Sequence, residues 1–275
     1  MKLYLDQTKP LLGNAEKNLE IMLEAVEKAI AGGYDLIVFP ELSLTGNVLE
    51  DIVFDIGIKE VPEVLLKKSK AIDIVFGAVE IGEEEYSYNT AFYLSHGEVL
   101  GKHRKVYLAD YGMSSESRCF MKGNSISAFD TKFGKVGILI GDDFYHQSAQ
   151  FILAQQGIKY LVVLGNEVAT ITESKENINR RAKLTAQVNS MLNGVYTIFA
   201  NRSGIEDGVI FCGNAFVVSP SGEIIKEGET FKSGEVSCVL DTREIRKARI
   251  KTPFFKNEDR KLTINEMKRI ETNQR

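Results

Sequence analysis

A chain of 275 residues, 44% hydrophobic and 26% charged, has enough apolar material for one large soluble domain with a substantial core. Its formal net charge of -4 gives no electrostatic footprint for nucleic acid or for an anionic membrane surface. No apolar run approaches the ~20 residues that a membrane span needs, and residues 1–10 lack the apolar stretch of a signal peptide, so the cytoplasm is the expected compartment.

The elements follow in chain order. Leu19, Met22, Leu23, Val26, Ala29 and Ile30 recur at helical spacing, with Asn14 as the expected N-cap. Residues 35–39 form a short apolar run that reads as a buried strand, closed by Pro40. Pro62 opens a helix through Lys70, and residues 72–80 are strand-like. Residues 88–94 and 98–102 pair as a hairpin around Ser95, His96 and Gly97. In the second half, 135–140 is a strand, 145–156 a helix and 160–164 a strand. Residues 176–192 follow as a helix with Ala182, Ala186, Val188 and Leu192 partly inward, then a strand over 195–200. Residues 215–219 and 223–227 pair across Pro220, Ser221 and Gly222, a good turn sequence. The last strand is 236–240, and the charged final 35 residues form a helix and an arm. Strand–helix alternation with internal hairpins predicts an α/β domain with mixed sheets flanked by helices. No linker divides it, so residues 1–275 are one domain.

Few residues stand out chemically on their own. Glu41 directly follows a buried strand, where a carboxylate can face a crevice; an isolated Glu there is more often a cap or a surface charge. Lys105 sits in a basic run, which on its own is usually a solvated face. Gly141 ends the strand over 135–140 and reads as a turn glycine before Asp142 and Asp143. The three histidines, 96, 103 and 146, have no HxH or HExxH spacing, so no metal is expected. Cys119, Cys212 and Cys238 offer no disulfide framework and read as small buried side chains.

In order, the segments say more. Phe39-Pro-Glu-Leu42, then Arg104-Lys-Val-Tyr-Leu108, then Gly137-Ile-Leu-Ile140 with Asp142 and Asp143 form an ordered set. It is joined by Asp6-Gln7, Asn18-Leu19, Tyr88-Asn-Thr-Ala91, Glu116-Ser-Arg-Cys-Phe120 with Gly123, and Ala200-Asn-Arg-Ser-Gly204. Phe211-Cys-Gly-Asn-Ala215, Ser219-Pro-Ser-Gly-Glu223 and the stretch from Asp241 to Arg249 complete it. This set, covering nearly the whole chain, resembles the nitrilase-like carbon–nitrogen hydrolase family. The stretch from Ile140 to His146 is similar to the family's Cys-Glu-Asp variants, which include the glutamine-hydrolysing domains attached to NAD synthetases. With no room for a synthetase domain here, a free-standing amidase-like member is the nearer analogy.

The resemblance implies a four-layer α-β-β-α sandwich of two packed mixed sheets between helix layers. It also implies pairing through helices into a homodimer or a higher homo-oligomer, with residues 242–275 as a C-terminal helix or arm in the contact. It implies hydrolysis of a C–N bond in a small amide, carbamoyl or nitrile compound, with no cofactor. In the family a thiolate attacks, a Glu serves as base and acid, and a Lys with a backbone N–H holds the oxyanion. Carried over residue by residue, Glu41 matches the base, Lys105 the oxyanion donor, Glu116 the second carboxylate and Asp142 the backbone N–H. Tyr111, Phe144 and Asn166 are expected to line the pocket, and loops over 110–115 and 166–174 are expected to shape it. The nucleophile position falls on Gly141, which has no side chain. Cys119 lies on a segment that frames the pocket and is no convincing substitute. Loss of a covalent nucleophile predicts a rate lower by roughly 10⁴–10⁶-fold. Three readings follow: a Cys-to-Gly variant of an active amidase, a natural pseudoenzyme that binds a small molecule or an oligomer partner, or a hydrolase with altered chemistry.

Overall fold

The computed structural model describes residues 1–112, 114–169 and 177–273. The first half runs β1 (Lys2–Gln7), α1 (Ala15–Ala31), β2 (Leu36–Val38), two short helices α2 (Val53–Ile56) and α3 (Glu63–Lys68), β3 (Asp73–Ile81), β4 (Ser87–Ser95) and β5 (Glu98–Arg104). The second half runs β6 (Ala128–Thr131), β7 (Gly134–Ile140), α4 (Gln147–Gln155), β8 (Tyr160–Gly165), α5 (Arg180–Asn193), β9 (Tyr196–Asn201), β10 (Ser203–Glu206) and β11 (Val209–Cys212). It ends with β12 (Phe216–Val218), β13 (Ile224–Glu227), β14 (Gly234–Val239), α6 (Thr242–Lys251) and α7 (Arg260–Asn273).

Two six-stranded sheets result, in the orders β14-β1-β2-β3-β4-β5 and β13-β12-β9-β8-β7-β6, with β10 and β11 as a separate ribbon. The centre of each sheet is parallel, β1 with β2 and β2 with β3, and β7 with β8 and β8 with β9; the flanking pairs are antiparallel. Parallel strands covered on both faces need apolar side chains on both. In β2, Leu36 and Val38 point into the core between the sheets, and Ile37 points to the helix side. In β7, Val136, Ile138 and Ile140 point inward and Leu139 outward. Met22, Val26 and Ala29 of α1 cover the first sheet with Leu65 of α3. Ala149 and Leu153 of α4 and Ala182 and Ala186 of α5 cover the second. The architecture is therefore the four-layer α-β-β-α sandwich.

Asn14 caps α1 as predicted, its side-chain oxygen accepting the Lys17 N–H at 3.0 Å. The helix predicted over 176–192 is α5, which begins at Arg180; residue 176 lies outside the described residues. Val188 and Leu192 correct the expectation of an inward face, being half-exposed. The inward positions belong instead to Asn189 and Ser190, whose side chains meet the Thr197 hydroxyl at 3.2 and 2.8 Å. Cys212 is buried, whereas Cys119 and Cys238 are only half-buried. The final segment holds two helices, and α7 has no buried residue. Among the described residues, no helix is long and apolar enough to cross a membrane.

Candidate active site

The first sheet supplies two of the site's three acidic and basic groups. After β2, the Phe39 N–H still donates to Val75 O at 2.8 Å, and Pro40 ends the pairing. The chain then bends across β3, with Leu42 at φ 47°. Gly77 permits the crossing, because a Cβ there would stand 2.5 Å from Leu42 N and 3.0 Å from Pro40 O. The bend turns Glu41 inward to complete burial. Its Oε1 accepts from Asn89 Nδ2 at 2.7 Å and from Lys105 Nζ at 3.0 Å. Its Oε2 is buried with no hydrogen-bond partner among the described residues.

Lys105 follows β5 and is also buried. Its N–H donates to Asn89 O at 2.9 Å, so Asn89 of β4 holds both Glu41 and the backbone of Lys105. Lys105 Nζ also donates to Glu116 Oε1 at 2.8 Å. Glu116 sits in a single 3-10 turn, Glu116–Arg118, and its Oε2 accepts the Ala109 N–H at 2.8 Å. One ammonium thus lies between two carboxylates. Burial pushes the Glu41 carboxyl up; Lys105 opposes this and Glu116 adds to it, leaving it at about 7. Burial alone would lower the Lys105 ammonium, but the two carboxylates hold it above its ordinary value. The cation therefore stays charged between the anions, and the carboxylate with an unmatched oxygen carries the electrostatic strain.

The second sheet supplies the third position. Gly141 ends β7 at φ 47°, the left-handed region that favours glycine. A Cβ built on it would stand 2.8 Å from Glu41 Oε2 and 2.8 Å from Lys105 Nζ. A side chain at 141 would point at the reactive ends of Glu41 and Lys105. These positions, brought from two sheets, meet where β2 and β7 terminate, the usual place for a site in an α/β fold. A carboxyl titrating near neutrality beside a fixed ammonium is suited to proton transfer and to holding developing negative charge on oxygen.

The other sequence candidates are distributed unevenly. Asp142 is half-buried next to Gly141, and its carboxylate accepts the Tyr111 hydroxyl at 2.9 Å. Tyr111 is largely exposed, at the rim. Asn166 follows β8 at the same sheet end, where Ile140 pairs with Leu164. Phe144 corrects the expectation of a pocket wall. It is fully buried in the helix-side core, 5.7 Å between ring centroids from Phe199, because the 3-10 turn Gly141–Tyr145 turns it away from the sheet end. Residues 113 and 170–174 of the two predicted loops lie outside the described residues.

Sequence reasoning missed several participants. Asn89 lies inside the motif over residues 88–91, but nothing in its spacing marks it as a Glu41 donor. Tyr145 donates its hydroxyl to Glu167, and Arg181 lies over the Tyr145 ring at 4.1 Å and 3.8 Å from Glu167 Oε2, adding a charged group to the rim. Among the described residues, no group of three or more His, Cys, Asp or Glu is placed to hold a metal ion.

The carbon-nitrogen hydrolase family model matches residues 6–250. The chain is 30% identical over 234 residues to a glutamine-dependent NAD(+) synthetase of Acinetobacter baylyi, covering 84% of this chain and 42% of that protein. It thus spans about two-fifths of the length of that relative. It is 26% identical over 260 residues to a nitrilase of Pyrococcus abyssi, covering 91% and 93% of the two chains. Its fold resembles that of a carbon-nitrogen hydrolase from Helicobacter pylori, with a TM-score of 0.85, 21% identity and coverage of 97% and 98%.

Proposed function

The chain belongs to the carbon–nitrogen hydrolase family, and from that premise we propose that it receives a small amide, carbamoyl or nitrile compound at Glu41, Lys105 and Glu116 while hydrolysis by the covalent route is absent or strongly impaired. The observation that carries this reading is the direction of residue 141. The missing side chain would point at Glu41 Oε2 and Lys105 Nζ, each 2.8 Å from its first carbon. Glycine offers no atom to form the bond to the substrate carbon. Glu41 still offers an amide N–H a buried oxygen that has no partner among the described residues. Lys105, with the backbone N–H of Asp142, is assigned to the carbonyl oxygen. Tyr111 and Asn166 are assigned to the rim of the same pocket. No cofactor enters this scheme.

A second reading, a non-catalytic protein that pairs with another copy of itself, is favoured by the apolar outer face of α5, where Leu184, Val188, Met191 and Leu192 are exposed. The two readings are compatible, because that face lies on the outside of the second sheet, away from Gly141.

The test compares this chain with Gly141→Cys. Ammonia release is followed over a panel of small amides that includes glutamine, and binding of the same amides to the parent chain is followed by calorimetry. The expected result is binding without turnover by the parent and turnover by the variant. Recovery by the variant should be partial, because its Cβ requires Glu41 and Lys105 to withdraw and its backbone strain costs about 1–3 kcal/mol. Turnover by the parent at the variant's rate would place the nucleophile elsewhere. A folded parent that binds no amide would remove the amide pocket and leave the self-association reading.

A further inference from the structure

Asp143 lies two residues beyond Gly141 and is fully buried. Its Oδ1 accepts the backbone N–H groups of Val106 at 2.9 Å and Tyr107 at 2.8 Å. Its Oδ2 accepts the Ile140 N–H at 3.3 Å and lies 2.8 Å from His103 Nε2. His103 is itself only 3% exposed. Every contact of this carboxylate therefore falls on one of two short segments, the one carrying Lys105 or the one carrying Gly141.

We propose that Asp143 and His103 are positioning residues that fix Lys105 against the Gly141 turn. The need for such a device follows from the topology. Lys105 leaves β5, an edge strand of the first sheet, whereas Gly141 leaves β7 of the second. Among the described residues no ladder joins the two sheets, and apolar packing between them permits sliding that hydrogen bonds resist. The Asp143 carboxylate spans the gap, gripping the amides one and two residues after Lys105 and the imidazole two residues before it. Hydrogen bonds to an ionised acceptor are the stronger and more directional kind, and two acceptor oxygens have room for four donors. The Asp142 carboxylate, by contrast, faces the rim and Tyr111, so the two adjacent aspartates divide the work between inside and outside.

This inference rests on reading Glu41, Lys105 and Glu116 as the functional site, but its test involves no ligand and no turnover. Protein carrying ¹⁵N-labelled lysine is examined for the ammonium signal of Lys105, assigned with Lys105→Arg; burial and ion pairing protect those protons from exchange. Asp143→Asn should shift the signal and speed its exchange by roughly tenfold or more as the local structure opens. His103→Leu should act in the same direction, and His103→Gln, which keeps an N–H for Asp143, should restore the parent signal. Leu153→Ala, a core change in α4 that lowers stability by itself, should leave the signal in place. The proposal is overturned if folded Asp143→Asn keeps the parent signal, or if Leu153→Ala disturbs it equally. Should Asp143→Asn fail to fold, the contrast between Leu and Gln at position 103 decides, and identical behaviour of the two overturns the assignment.

Discussion

The two carboxylates that share Lys105 are not equivalent. Glu116 engages both oxygens, one with Lys105 and one with the Ala109 amide. Among the described residues, Glu41 engages only Oε1 and leaves Oε2 buried without a partner. Burying a carboxylate in that state favours its protonated form, which burial raises to about 7 from an ordinary value of 4.5. Between those values the folded state holds a proton that the unfolded state has lost, so this group lowers stability as pH rises from 4.5 to 7 and adds nothing further above that. Glu41→Gln keeps the shape and the Asn89 side of the contact but does not titrate. The variant should therefore gain stability relative to the parent between pH 5 and pH 8. Thermal unfolding of both proteins at several pH values checks this, and a difference independent of pH would remove the account of Glu41 as a strained, near-neutral acid. The identity of these residues was legible in sequence because the ordered motifs carry them. Their asymmetry was not, since an oxygen without a partner is a property of packing between strands distant in the chain.

At the scale of elements, the buried strands β2, β7 and β8 were legible because parallel strands covered on both sides must be apolar throughout. β1 escaped because it ends in Asp6 and Gln7, buried polar residues that break the pattern; Gln7 instead clamps a distant loop, donating to Glu229 O at 2.6 Å and accepting from Ala215 N at 2.7 Å. β6 and β10, four residues each, mix apolar with polar side chains, so neither a buried run nor a clear alternation declares itself. Gly77 is the clearest case of a residue whose purpose lies outside its own element. Within β3 it reads as an interruption, yet it makes room for the backbone that aims Glu41. Gly77→Ala should push the 40–42 segment away and cost about 1–3 kcal/mol by overpacking, with the Glu41 contacts to Asn89 and Lys105 lengthened. Urea unfolding measures the first effect, and a crystal structure of the variant the second. A variant as stable as the parent, with Glu41 unmoved, would show that the close approach is not needed.

For the whole molecule, the four layers satisfy the inner faces of both sheets but leave apolar surface outside. Leu184 and Val188 of α5 are 49% and 50% exposed, and they lie one helical turn apart with Met191 and Leu192 on the next. Helix α7 exposes Leu262, Ile264, Met267 and Ile270 and buries nothing. A 14-residue helix with no packed face is marginal in water, so its apolar side chains call for a covering surface. We propose that a second copy of the chain supplies it, with α5 against α5 and α7 across the joint. Such a two-fold contact presents the same patch from both subunits, so a single change acts twice. Light scattering should give about twice the 30.7 kDa chain mass. Val188→Glu combined with Leu192→Glu should yield the single-chain mass with the fold retained, because both side chains point away from the α5 core contacts formed by Ala182 and Ala186. A parent chain that runs as a monomer at micromolar concentration, or a double variant that still dimerises, would move the contact to another face.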